Sequence, residues 1–182
     1  MEQIHKNLWN SAAKAGLALG LVSSAYIFIN QWVSGIEVPL LTGLLSLVFW
    51  AAKFGGCIWL MMFFMKKFVA ENAESDNSTS FRFGVATAIL SAVIYAALSF
   101  ANTAYFSADM IAENMETVMQ AYSQFMDANT MSRVDEMMSK MPQITFFSNL
   151  FYCSIFGTIL SLILSRNIPS RNPFDEYKPD EQ

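Results

Sequence analysis

The sequence predicts an all-α membrane protein with a bundle of four transmembrane helices. The 182 residues are 54% hydrophobic and only 14% charged, and the mean hydropathy is +0.34, well away from soluble averages. The apolar residues fall into four stretches, each about as long as the 20 or so residues that cross a bilayer. We therefore expect one membrane domain over residues 1–166 and a disordered cytoplasmic tail over 167–182.

The composition also excludes several classes of function. A net charge of −4 provides no basic face for nucleic acid. The single histidine, His5, stands apart from Cys57 and Cys153, which lie in apolar stretches, so neither a ligand cluster for zinc or haem nor a disulfide framework is predicted. No nucleophile–base arrangement and no pair of carboxylates lies in the apolar stretches. We expect no catalytic residue, no metal and no cofactor.

The first span covers about 15–33. Residues 1–13 have the spacing of one helix face, and we expect a short interfacial helix with Trp9 at the headgroups. Small residues four apart let another helix approach closely, and they recur as Gly16, Gly20 and Ser24. A turn over 31–39 follows.

The second span, about 40–65, holds the one full charge inside any span, Lys53. Such a charge costs roughly 2.5–3.5 kcal/mol on insertion scales. Phe49 and Trp50 share its helix face. Lys53 either extends along Trp50 toward the outer headgroups or faces the interior and binds an anionic headgroup or solute. The spans contain no Asp or Glu, which leaves uncharged neutralisers: Tyr26, Asn30, Tyr95, Asn102 and Asn149.

A polar loop over 70–80 leads to the third span, about 83–106, with a second close-packing face that begins at Gly84. The insert over 107–141 predicts an amphipathic helix capped by Ser107 and broken at 129–130. A capping box, Ser132-x-x-Asp135, then predicts a second short helix. Pro142 suits the first turn of the fourth span, about 143–165.

Eight of the twelve methionines lie between residues 110 and 141. Thioethers bind Cu(I), but these methionines share a stripe with aliphatic and aromatic residues, which is typical of an adaptable contact surface. The insert is either a lid over the bundle or a face for a protein partner. The partner-contact candidates are Met115, Met119, Tyr122, Phe125, Met137 and Met138.

The first and third spans share a pattern of basic and small residues, and the second and fourth share an aromatic one. This pattern indicates a parallel internal repeat, with chance matching of apolar helices as the alternative. Lys53 aligns with Ile155, so the repeat singles out the lysine.

Eight basic residues fall on one side of the membrane and only Arg133 and Lys140 on the other. The positive-inside rule then places both termini in the cytoplasm.

The entry to the third span, Ser80-Phe81-Arg82-Phe83-Gly84, the Met/Glu-rich insert and the Asn172-Pro173-Phe174 tail resemble an uncharacterised family of small bacterial inner-membrane proteins, classed as a domain of unknown function. The resemblance covers nearly the whole chain. It implies four spans and an accessory role beside a polyprenyl-phosphate glycosyltransferase, and it assigns no functional residue.

Two functions are therefore expected. The first is a non-enzymatic accessory or scaffold protein of the inner membrane, which contacts lipids and a partner such as that glycosyltransferase. The alternative is a small carrier, or a binder of anionic lipid or solute, that uses Lys53. Homo-oligomers are compatible with both functions, because close-packing faces join helices within one chain or between two.

Overall fold

The computed structural model describes residues 2–35, 38–72, 76–122 and 127–168. These ranges contain six α-helices, one π-helical turn and no β-strand. The helices are α1 Glu2–Ser34, α2 Pro39–Glu71, α3 Asn77–Ala101, α4 Ala108–Tyr122, α5 Ala128–Ser139 and α6 Met141–Asn167, and the π-turn is Asn102–Phe106. The predicted tail lies outside the described residues from position 169 onward.

Four helical segments are long and apolar enough to cross a membrane: Asn7–Val33, Leu40–Glu71, Asn77–Phe106 and Met141–Asn167. The predicted all-α fold with four spans is confirmed. The helices are longer than the apolar stretches, so the polar connection between the second and third spans shrinks to residues 72–76. The prediction of a separate interfacial helix was wrong, because nothing interrupts α1 between residues 2 and 34. Trp9 lies on it and is exposed.

Helix α3 is the centre of the bundle. It packs along both α1 and α6, whereas α2 packs mainly on α1 and meets α6 sparsely. A Cβ atom added at Gly16 would stand 2.8 Å from Leu90, and one at Gly157 would stand 2.5 Å from Ala88. The predicted small-residue faces therefore bring helix backbones together, as they do in other membrane bundles.

The proposed repeat stays a prediction. Gly16 and Gly84 align in sequence, yet Gly16 faces α3 whereas Gly84 faces Ser161 of α6. Gly157 is closely packed, whereas its aligned mate Gly55 has open space around it. The aligned positions thus meet different surroundings in the two hairpins.

The bundle has two distinct ends. At the end near residues 72–76, the buried rings of Phe68 and Phe83 stack with centroids 4.3 Å apart and planes 6° apart. At the other end lie the π-turn and the insert, and we call this the insert end. Asp76 starts α3 by accepting a 2.7 Å hydrogen bond from the Thr79 backbone N–H.

Two details of the insert differ from expectation. The prediction that a capping box at Ser132 starts the second helix was wrong, because α5 already begins at Ala128. Asp127 caps it by accepting a 2.8 Å hydrogen bond from the Thr130 backbone N–H. Ser107 directly precedes α4, and its carbonyl accepts from the Ile111 N–H. The Ser107 hydroxyl is engaged elsewhere, as described below. Pro142 lies in the first turn of α6, as predicted.

Candidate functional site

Lys53 points into the bundle. Its Nζ lies 4.5 Å from the ring centroid of Tyr95 and 4.9 Å from that of Tyr26. The ammonium also donates a hydrogen bond of 3.4 Å to the Tyr95 hydroxyl. The structure thus decides between the two orientations left open by the sequence, and the side chain does not run toward the headgroups along Trp50.

The two tyrosine rings explain how a charge is tolerated at this depth. Along the helix, Lys53 is about 20 Å from Leu40 and about 27 Å from Glu71, the two ends of its span, at 1.5 Å per residue. Its insertion costs roughly 2.5–3.5 kcal/mol, and a desolvated cation–π contact returns about 2 kcal/mol. The rings offset most of the cost. They leave the positive charge itself without a counter-ion, because no Asp or Glu lies in the apolar stretches 15–33, 40–65, 83–106 and 143–165.

A cavity of about 110 Å³ lies beside Lys53, between α1, α2, α3 and α6. We call it the apolar pocket. Its lining includes both cysteines of the chain, Cys57 and Cys153, which are free thiols. The Cys57 sulfur is 3.3 Å from the Ser23 hydroxyl, and Met61 lies on the lining one helical turn further along α2.

The apolar pocket is bordered by aromatic rings where α2 and α6 face each other. Phe54 of α2 meets Phe156 of α6 edge to face, with centroids 5.5 Å apart. Tyr152 stacks on Phe156 and is 62% exposed on the outer surface of the bundle. Since α2 and α6 otherwise touch little, the rings are the main barrier between this pocket and the surrounding lipid.

A second cavity of about 310 Å³ lies toward the insert end. We call it the polar chamber. Tyr95 lines both cavities, and Tyr26 lines the chamber, so the two rings that hold Lys53 lie where the two spaces adjoin. Met110 of α4 borders the chamber beside its polar lining, which comprises Asn30, Gln31, Ser99, Asn102, Thr103, Ser107 and Thr145.

Hydrogen bonds fix part of this polar lining. The Ser107 hydroxyl oxygen accepts from Gln31 Nε2 at 3.2 Å and from Asn102 Nδ2 at 3.0 Å. The π-turn places these groups together, because its closing bond runs from the Ser107 N–H to the Asn102 carbonyl at 2.8 Å. Asn102 Oδ1 is buried and has no hydrogen-bond partner among the described residues. An unmet buried acceptor costs about 1–3 kcal/mol.

The predicted site residues divide into two groups. Lys53 lines the apolar pocket, whereas Phe49 and Trp50 lie off its lining. Trp50 is half exposed and packs on Phe54 at 4.6 Å. Among the expected neutralisers, Tyr26 and Tyr95 contact the ammonium, and Asn30 and Asn102 line the chamber next to it.

Helical spacing places Cys57 on the same face as Lys53, because residues four apart share a face, although Cys57 was not predicted as a site residue. The sequence did not predict Cys153 or Ser107 as parts of the site. Cys153 and Ser107 come from other helices, and nothing local to them marks the site. Among the described residues, no group of three or more His, Cys, Asp or Glu side chains is placed to hold a metal ion.

The partner-contact candidates lie on the insert and mostly away from the bundle. Tyr122 and Met137 are more than half exposed, whereas Met115, Met119 and Met138 are partly buried. Phe125 lies outside the described residues. Helix α4 has no buried residue and α5 touches α6 only lightly, so the insert leaves an apolar stripe largely uncovered.

A protein family described as "Protein of unknown function (DUF4199)" matches residues 14–166, which include all four spans and the insert. The chain belongs to the DUF4199 family. The expected resemblance to an uncharacterised family is therefore confirmed. No curated protein matches the chain, and no solved structure matches it. The DUF4199 description assigns no activity, so the chemistry of the site rests on the two cavities and Lys53.

Proposed function

We propose that this DUF4199 protein binds an anionic ligand inside the membrane, with the Lys53 ammonium as the counter-charge. The observation that carries the proposal is the orientation of Lys53, which faces a cavity from within a bundle whose four apolar stretches contain no carboxylate. A methionine at this position would avoid the insertion cost altogether. Retention of the charge is explained by an anion that binds beside it.

The native cysteines provide a direct assay, because Cys57 and Cys153 are the only thiols and both line the pocket next to Lys53. The protein is reconstituted in phosphatidylcholine nanodiscs, and N-ethylmaleimide labelling is followed by mass spectrometry. One arm adds an anionic phospholipid and another adds inorganic phosphate. We expect one of the two anions to slow labelling, and the arm that succeeds identifies its source as lipid or solution.

Two variants separate the site from general charge effects. Lys53→Met should abolish the protection, whereas Lys67→Met should retain it, because Lys67 is exposed on the surface, where it forms a salt bridge with Glu71. Equal labelling of the unmodified protein with and without either anion would refute the proposal. Protection that survives in Lys53→Met would also refute it.

A second proposal is the accessory role, in which the insert binds a protein partner such as a membrane glycosyltransferase. The uncovered apolar stripe of α4 and α5 favours it, since Met-rich surfaces adapt to protein partners. Met137→Asp should abolish one-to-one co-purification with a co-expressed glycosyltransferase, and Glu136→Asp on the same helix should leave it intact. If Met137→Asp co-purifies as well as the unmodified chain, α5 is not the contact.

We also propose that the protein lies in a bacterial inner membrane with the insert end outside and both termini in the cytoplasm. The excess of basic residues at the opposite end of the bundle, including Lys66, Lys67 and Arg82, supports this orientation. A cysteine added at position 113 in a cysteine-free background should react with an impermeant maleimide on intact cells, and one added at position 178 should not. The reverse pattern would overturn the orientation.

A further inference from the structure

The two cavities and Lys53 form one continuous series along the bundle. On α3 the lining changes from Ala88 and Ala92 in the apolar pocket to Tyr95 at the lysine and then to Asn102 in the polar chamber. Helix α1 repeats the order from Leu19 to Tyr26 to Asn30. Along the bundle axis, the site is therefore first apolar, then cationic at Lys53 and then polar, over roughly 20 Å at 1.5 Å per residue.

From this order we infer that the ligand is an anionic phospholipid whose headgroup carries hydroxyl groups, an inference that rests on the proposed anion-binding function. The headgroup would occupy the polar chamber, the phosphate would meet Lys53, and an acyl chain would occupy the apolar pocket. The chain reaches the bilayer between α2 and α6, where the edge-to-face pair of Phe54 and Phe156 is the main barrier. A soluble anion has no group to place in the apolar pocket. A lipid has an acyl chain for the pocket, a phosphate for Lys53 and a headgroup for the polar chamber.

The polar chamber indicates which headgroup is favoured. The Asn102 amide nitrogen already donates to Ser107, so its orientation leaves Oδ1 as the group that needs a partner. An acceptor is satisfied only by a donor, and a hydroxyl group supplies one. The oxygens of a phosphodiester only accept hydrogen bonds, so a phosphodiester without a donor on its headgroup leaves Asn102 unsatisfied. A headgroup with hydroxyl groups satisfies it.

The experiment compares two lipids of equal charge. Phosphatidylglycerol and phosphatidylmethanol each carry one negative charge on a phosphodiester, and only the first has free hydroxyl groups. Both compete for the protein in phosphatidylcholine nanodiscs, and native mass spectrometry measures the retained lipid. We expect the unmodified protein to prefer phosphatidylglycerol by about 3- to 10-fold, the effect of one or two neutral hydrogen bonds.

Variants then assign the preference to the chamber. Asn102→Ala should bind the two lipids equally. Thr158→Val should keep the preference, because Thr158 lines neither cavity and its hydroxyl donates to the Ser154 carbonyl at 2.7 Å. Lys53→Met should lose both lipids. The comparison in the unmodified protein needs no substitution, so it decides the inference even if Asn102→Ala fails to fold.

The failures of the two proposals are distinguishable. Equal retention of the two anionic lipids, both above phosphatidylcholine and both lost in Lys53→Met, overturns the headgroup inference and leaves the anion-binding function intact. Displacement of the lipid by millimolar glycerol phosphate, which has the headgroup chemistry without the chains, overturns the lipid assignment. No preference for any anion over phosphatidylcholine overturns both.

Discussion

The close contact between α3 and α6 predicts that two aligned glycines respond oppositely to the same substitution. A Cβ atom at Gly157 would lie 2.5 Å from the Cβ of Ala88, whereas a Cβ atom at Gly55 would meet no heavy atom within 4 Å. The changes Gly157→Ala and Gly55→Ala therefore form a matched pair. Both add one methyl group to the middle of a membrane helix, and only the first adds it to a helix interface.

The magnitude follows from the distances. Carbon atoms pack at about 3.5–4.0 Å, so Gly157→Ala requires the two helices to separate by about 1 Å or more. Overpacking of this kind costs roughly 1–3 kcal/mol. Alanine also favours a helix over glycine by about 1 kcal/mol, and that gain is common to both variants. The difference in unfolding free energy between the two variants therefore isolates the interface term, about 1–3 kcal/mol.

The assay is unfolding in mixed micelles with increasing sodium dodecyl sulfate, followed by far-ultraviolet circular dichroism. Gly55→Ala should unfold at or above the dodecyl sulfate fraction of the unmodified protein, and Gly157→Ala should unfold below that of Gly55→Ala. If both variants unfold at the same fraction, α3 and α6 do not approach each other as closely as described, and the reasoning fails.

Three further predictions address the bundle, the insert and the site. Phe83→Ala removes a buried stacked ring and should lower the unfolding free energy by roughly 3–5 kcal/mol, whereas Phe147→Ala, whose ring is 65% exposed, should cost far less in the same titration. Hydrogen bonds from Thr130 lower the pKa of the Asp127 carboxyl below its ordinary value, so the cap stabilises α5 fully above that ordinary value and is lost as the pH falls through the lowered pKa. Amide exchange in α5 should accelerate there, and Asp127→Asn, which still caps a helix, should remove the pH dependence; an unchanged pH profile in that variant would contradict the assignment. In ligand-free nanodiscs, Cys57 should react with N-ethylmaleimide more slowly than a cysteine placed at position 113, which is exposed on the insert, because the reactive thiolate forms more readily in water than in an apolar pocket; equal rates would place the Cys57 thiol outside the pocket.

Much of the fold was readable from the sequence because the signals for it are local. Apolar length fixes the number of spans, and Pro142 marks the start of α6 by the same rule that places proline in the first turn of other helices. The boundary of α5 was missed for a related reason. Two capping patterns compete within nine residues, Asp127 with Thr130 and Ser132 with Asp135, and the chain uses the earlier one.

The candidate site was only partly readable. Lys53 was evident, since a single charge in an apolar stretch is conspicuous whatever surrounds it. Phe49 and Trp50 were assigned to it by helical spacing, yet Trp50 packs on Phe54 and does not line the pocket. The contacts that define the site come from Tyr26 and Tyr95, which are distant in the chain.

The sequence by itself determined that this is a four-span helical membrane protein with one lysine in the middle of an apolar stretch and no Asp or Glu in those stretches. Only the tertiary structure decided that Lys53 faces inward, that α3 is central and that a polar chamber adjoins the lysine. The physical reason is that lipid tails are as apolar as a packed helix face. Hydrophobic periodicity therefore does not tell which side of a span meets protein, and close backbone contacts such as Gly157 against Ala88 decide it.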